Sequence, residues 1–253
     1  MYRPFRTLAA GALLAISLSV PVSAAQVSVN GSTLSSQQGW VEADRSQITL
    51  LALSQTAGCS LSWDGSAATL SGPGFTLTAV PGREYIQVNG RCRYVPGGVQ
   101  CRQGRIVLPL TLLSNALGCP LTWNAATGTA DLDTASARPP QANYNSEDLY
   151  WLSRIISAES RGEPLAGQIA VGNVVLNRVE SSHFPNSVQE VVFDDRYAIQ
   201  FEPVSNGTIY DEPTSSAVLA AKLCLEGANT AGKSLYFFAP ALSAGSWIRS
   251  SRT

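Results

Sequence analysis

Two spacings of apolar residues divide the chain. From about Gln26 to Asp133 apolar and polar positions alternate in short runs broken by turn residues; beyond residue 145 the apolar positions recur in steps of three and four. The first texture contains a repeat. Ala57-Gly58-Cys59-Ser60-Leu61-Ser62-Trp63 matches Leu117-Gly118-Cys119-Pro120-Leu121-Thr122-Trp123 at an offset of sixty positions, which also pairs Leu50 with Leu110, Leu53 with Leu113 and Ser54 with Ser114. Each copy predicts a short helix closed by a C-cap glycine, then an alternating strand that carries the Trp. Between the copies, Tyr85 to Val95 predicts two strands around an Asn89-Gly90 turn. The fold class that follows is α+β: a duplicated small α+β domain over residues 25–135, a Pro-rich linker over 136–145, and a mainly helical domain over 146–253.

In the helical part Ser146 is the predicted N-cap, followed by Glu147 and Asp148 in the first turn. Leu149, Leu152 and Ile156 form the inward stripe, and the next step of three lands on Glu159. Gly162 and Pro164 end this helix, and a second begins near Pro164. Its run from Ile169 to Leu176 is apolar nearly all round, the mark of a central buried helix; Gln168, Asn173 and Asn177 are the polar exceptions.

The N-terminus changes the picture of where the protein works. Arg3 and Arg6 precede an apolar run from Leu8 to Val20, then Pro21 and Val22-Ser23-Ala24, the pattern of a secretory signal peptide over residues 1–24. The run is short for a membrane span, and no other stretch is long enough, so no span is expected after cleavage; an uncleaved anchor is the alternative. Export makes disulfides the expected state of Cys59, Cys92, Cys101 and Cys119, with Cys92–Cys101 across a hairpin and Cys59–Cys119 between the copies favoured over four reduced, buried thiols. Cys224 reads as a small core residue.

Charge and composition narrow the chemistry. Seventeen basic against 18 acidic residues give a net charge of -1, which offers no broad basic surface for nucleic acid. A single histidine excludes zinc sites built on two or three His ligands, and no metal or cofactor is expected. Glu159 is the candidate acid: partial burial and the negative end of the helix dipole both disfavour its charged form. The competing arrangement is a carboxylate capped or paired with Arg154 or Arg161. Glu163, Asp194, Asp195 and Glu202 are further carboxylates that could activate water. A Cys224–His183 dyad is disfavoured, because no nucleophile motif surrounds either residue.

The motifs carry a resemblance. Residues 158–164, Ala-Glu-Ser-Arg-Gly-Glu-Pro, and the run Gly167 to Arg178 are followed in order by His183-Phe184-Pro185, Gln200-Phe201, Asn206-Gly207 and Leu235-Tyr236-Phe237-Phe238-Ala239-Pro240. This set, from about Asp148 to Trp247, resembles the SleB-type cell wall hydrolases, the spore cortex-lytic enzyme family. The resemblance implies a lysozyme-like catalytic domain acting on peptidoglycan outside the cytoplasm. It implies a lytic transglycosylase cutting between N-acetylmuramic acid and N-acetylglucosamine, with Glu159 as acid and base. Candidates for holding the sugars are Glu163, Gln168, Asn173, Gln200, Phe201 and Tyr236. Against these roles stand simpler ones: Glu163 pairing with Arg161, internal hydrogen bonding by the amides, and core packing of aromatic residues in a strand from Leu235 to Phe238. A muramidase with a second carboxylate and a non-catalytic wall-binding protein are the rival readings. The family pattern runs past Trp247-Ile248, so a shortened C-terminus is expected.

The repeat half resembles the copper amine oxidase N-terminal-like domain, through Val29-Asn30-Gly31, Val88-Asn89-Gly90, Val107-Leu108-Pro109-Leu110 and the two Gly-Cys ends with their Trp. That resemblance implies a stalk or adaptor and no copper.

Overall fold

The computed structural model describes residues 25–141, 144–196 and 199–237. The predicted signal peptide, Phe238 to Pro240 of the last motif, and the chain end lie outside them. In the first half, β1 (Gln26–Val29), β2 (Ser32–Thr33), β3 (Gly39–Glu42) and β4 (Arg45–Thr49) lead into α1 (Leu50–Ala57) and β5 (Ser60–Trp63). Strands β6 (Ala68–Gly72), β7 (Phe75–Ala79), β8 (Tyr85–Val88), β9 (Arg91–Tyr94), β10 (Gln100–Arg102) and β11 (Arg105–Pro109) follow. Helix α2 (Leu110–Leu117), β12 (Leu121–Asn124) and β13 (Thr129–Leu132) complete the half. Three sheets result, in the orders β12-β13-β1-β2, β10-β11-β4-β3 and β5-β6-β7-β8-β9.

The predicted duplication is real, and the strand register shows how the copies are related. In the antiparallel pair β4–β11, Ile48 sits opposite Leu108. Those two positions differ by the repeat offset of sixty, so a pseudo-twofold axis passes between them. Each helix grows from its strand and ends where Gly58 (φ 64°) or Gly118 (φ 59°) turns left-handed. At Gly118 a Cβ would lie 2.1 Å from the Arg138 carbonyl oxygen, so close approach as well as φ requires glycine there. Thr49 caps α1 by accepting the Ala52 amide at 3.1 Å, whereas Pro109 at the equivalent place offers no side-chain cap. The Asn89-Gly90 turn has positive φ at both residues (50° and 81°), the conformation a tight two-residue hairpin needs. Ile48, Leu53, Leu70, Leu77, Leu108 and Leu113 are fully enclosed in one core.

The disulfide expectation is corrected. All five cysteines are free thiols. Cys92 on β9 faces Gln87 and Cys101 on β10 faces Ile106, in different sheets, so no hairpin brings the two together. Cys59 and Cys119 close separate helix ends and pack into the shared core without bonding, and burial pushes the Cys119 thiol up to about 11.

The second half contains α3 (Ser146–Ser160), α4 (Leu165–Val179), α5 (Val188–Val192), α6 (Glu202–Asn206) and α7 (Ser215–Leu225). The cap of α3 is Asn145 rather than Ser146; its Oδ1 accepts the Glu147 amide at 2.9 Å. Helices α3, α4 and α7 converge at Gly172, where a Cβ would meet Cys224 Sγ at 2.7 Å and Ile156 Cδ1 at 2.8 Å. Residues 235–237 form no strand, which corrects the reading of the aromatic motif. Helix α4 holds this segment through carbonyls instead: Asn177 donates to the oxygens of Gly232 and Ser234 just before the run, and Arg178 to that of Leu235, each at 2.9 Å. The halves meet where β9 docks on the end of α7. Glu226, its side chain 3% exposed, pairs with both Arg91 and Arg93, and Cys92 packs into the helical core. Among the described residues no helix is long and apolar enough to cross a membrane.

Candidate active site

Glu159 occupies the last turn of α3. The stripe that predicted its inward position is confirmed in Leu152 and Ile156, both fully buried. Glu159 itself is half-buried, and its carboxyl makes no hydrogen bond or ion pair among the described residues. The two arginines that could have neutralised it are engaged elsewhere. Arg154 pairs with Glu212 at 3.2 Å and lies 3.7 Å over the Tyr150 ring, while Arg161 donates to the Ser157 carbonyl at 3.3 Å. Burial, and secondarily the charge of Glu202, raise the Glu159 pKa above the ordinary carboxylate value. Glu202 begins α6, 43 positions along the chain, so packing has brought two carboxyl groups within electrostatic reach.

The predicted sugar ligands separate into two groups. Glu163 and Gln200 are exposed, and Tyr236 is 67% exposed with its ring against Phe184 and Arg178. These three are open to a ligand. Gln168 is buried; its Nε2 donates to the Glu163 carbonyl at 2.8 Å, strapping the turn after Glu159 onto α4. Its Oε1 is enclosed with no partner among the described residues. Asn173 is buried, donates to the Ala228 carbonyl at 2.7 Å and accepts the Thr230 amide at 2.8 Å, so its amide ties the segment after α7 to α4. Phe201 is 2% exposed, and its ring stacks on that of Phe237 at 6.4 Å between centroids.

Cys224 is buried, donates to the Ile169 carbonyl at 3.4 Å and has its thiol pushed up to about 12 by burial, so it is no nucleophile. Asp194 accepts two hydrogen bonds from Arg196, at 2.8 and 2.9 Å, which hold it below the usual carboxylate range and in its charged form. Among the described residues no three His, Cys, Asp or Glu side chains converge on a metal site.

One residue escaped the sequence reading. Arg178 is 4% exposed, and its guanidinium lies 5.0 to 5.3 Å from the ring centres of Phe184, Phe201 and Tyr236. It gathers three separated aromatic motifs into one cluster. Burial lowers its pKa, and one Nη has no partner among the described residues. Its place in the last turn of α4, where a basic residue commonly meets the helix end, gave no signal in the sequence.

Comparison with known proteins gives two family matches. Residues 28–132 match the copper amine oxidase N-terminal domain, and residues 162–253 match the cell wall hydrolase family, beginning three positions after Glu159. The spore cortex-lytic enzyme of Bacillus cereus is 37% identical over 118 residues, covering 44% of this chain and 44% of that protein. The cell wall hydrolase CwlJ of Oceanobacillus iheyensis is 30% identical over 103 residues, covering 38% of this chain and 72% of the relative. Among solved structures, the catalytic domain of the germination-specific lytic transglycosylase SleB from Bacillus anthracis is 37% identical over 44% of this chain and 88% of that one, with a TM-score of 0.39. The match therefore spans less than half the length of the spore cortex-lytic enzyme from Bacillus cereus.

Proposed function

Because the chain belongs to the SleB-type cell wall hydrolase family, we propose that it cleaves peptidoglycan glycan strands between N-acetylmuramic acid and N-acetylglucosamine as a lytic transglycosylase. The observation that carries this reading is the state of Glu159: a half-buried carboxyl, raised in pKa and without a partner among the described residues. A carboxyl protonated toward neutral pH can give its proton to the glycosidic oxygen as that bond to C1 breaks. The resulting carboxylate then takes the proton from the C6 hydroxyl of the same muramic acid as that oxygen bonds to C1. The products are a 1,6-anhydro end and a free 4-hydroxyl on the leaving strand. Proton and electrons balance with one carboxyl, and attack within one sugar gains from proximity. Exposed Glu163, Gln200 and Tyr236 would line the sugar path. The residues 1–24 would direct export to the wall, and the repeat half would act as an adaptor.

A second reading is favoured by one observation, the nearness of Glu202, whose charge acts on Glu159. Two carboxyls could divide acid and base roles in a muramidase that uses water. Mass spectrometry of muropeptides released from purified peptidoglycan, wild type against Glu159→Gln, separates the readings. We expect anhydro-muramyl ends from wild type only. Reducing ends would select the hydrolase, and no cleavage by a folded wild type would overturn both.

A further inference from the structure

We propose that the repeat half carries its own glycan-binding site, a track running from Trp63 past Arg105 to Trp40 and suited to acid-bearing sugar strands. This rests on the peptidoglycan reading for the identity of the strand, though not for the site. Two cavities of about 620 and 440 Å³ flank the β10–β11 hairpin, share Arg105 and adjoin at Thr49 and Leu50. Both fall within the roughly 300–1,000 Å³ of small-ligand sites. Trp63 lines the first and Trp40 the second. Trp63 is 56% exposed at the end of β5, where cross-strand pairing sets it against only Ala68. A large indole left open over a cavity is a stacking surface for the apolar face of a pyranose ring. Ser62 supplies a hydrogen-bonding group beside Trp63 in the first cavity, and Ser36 and Gln103 do so in the second.

Arg105 points to the charge of the ligand. Its guanidinium has no acidic partner among the described residues, although it stands at the junction of both cavities, while the neighbouring Arg102 is satisfied by Glu42 at 2.9 Å. An unpaired guanidinium lining the same cavity as the open Trp63 indole matches a carboxylate on a sugar stacked there, such as the lactyl group of muramic acid, while Trp40 in the second cavity carries Arg102 at 5.4 Å over its ring. The sixty-residue offset pairs Trp63 with Trp123, 57% exposed, and Arg105 with Arg45.

Isothermal titration of the Glu159→Gln chain, whose turnover is expected to be slow, tests this. The probes are soluble muramic-acid-containing oligosaccharides and neutral N-acetylglucosamine oligomers of equal length. We expect one class of site to weaken about tenfold, the equivalent of ~1.4 kcal/mol, when Trp63→Ala or Trp40→Ala is added. Arg105→Gln should abolish the preference of that class for the acidic sugar. Circular dichroism establishes that each variant is folded, and Arg105→Gln, a surface change, keeps the test open if a Trp variant is not. Superimposable isotherms for parent and variants would overturn the site, as would a repeat-half surface that takes up neither sugar. A wild type that releases no products, together with Trp63-dependent binding, would overturn the catalytic reading and leave this one standing.

Discussion

Replacing Asn173 by Ala distinguishes a sugar ligand from an internal strut. The side chain is 4% exposed and bonds both the Ala228 carbonyl and the Thr230 amide, so it pins the segment after α7 onto α4. Truncation removes both hydrogen bonds. It leaves the Ala228 carbonyl, in a residue 9% exposed, without a partner, and the Thr230 amide can recover water because that residue is at the surface. An orphaned buried acceptor costs about 1–3 kcal/mol and a lost but resolvated bond roughly 0.5–1.5, giving about 2–4 kcal/mol in all. Urea unfolding followed by helix circular dichroism should show that loss, while KM for soluble glycan oligosaccharides, corrected for the folded fraction, stays at the parent value. A variant within about 0.5 kcal/mol of the parent but with a raised KM would refute the reasoning and return Asn173 to the sugar path.

Glu159→Gln should lower kcat by roughly 100- to 10,000-fold in a glycan-release assay with little change in the unfolding midpoint, since it removes a proton donor and no contact. Glu159 must be protonated for the first step, so activity falls as pH rises through its raised pKa. Glu202→Gln removes the charge that helps raise it, and the alkaline limb of the pH–rate profile should move to lower pH; an unmoved limb would leave Glu202 without influence on the acid. Glu226→Ala would strand Arg91 and Arg93, each with a side chain 14% exposed, and should destabilise the docked halves by about 3–5 kcal/mol, read as earlier separation in a denaturant titration. Gly118→Ala meets the Arg138 oxygen at 2.1 Å with φ at +59°, and a loss of more than about 2 kcal/mol should lower Tm by at least roughly 4 °C.

The sequence by itself determined the local structure of this protein. The helix ends at Gly58 and Gly118, the Asn89-Gly90 turn, the sixty-residue repeat and the inward place of Glu159 were legible because caps, turns and helical period act over a few residues. Ser146 and Asn145 are both good capping residues, and only the backbone chose between them. The aromatic run at residues 235–237 reads as a strand because propensity describes a half-buried surface, whereas α4 side chains took the carbonyls of Ser234 and Leu235. What tertiary structure alone decided involves partners far apart in sequence. Asn173 found Ala228, Glu226 found two arginines more than 130 positions earlier, and Arg178 gathered rings from three motifs. Cys92 and Cys101 stay apart for the same reason, since sheet register and not spacing sets which side chains face one another. Glu159 shows both levels at once. The stripe made it face inward, and the packing of α6 against α3 supplied the neighbouring charge that, with burial, sets its proton affinity.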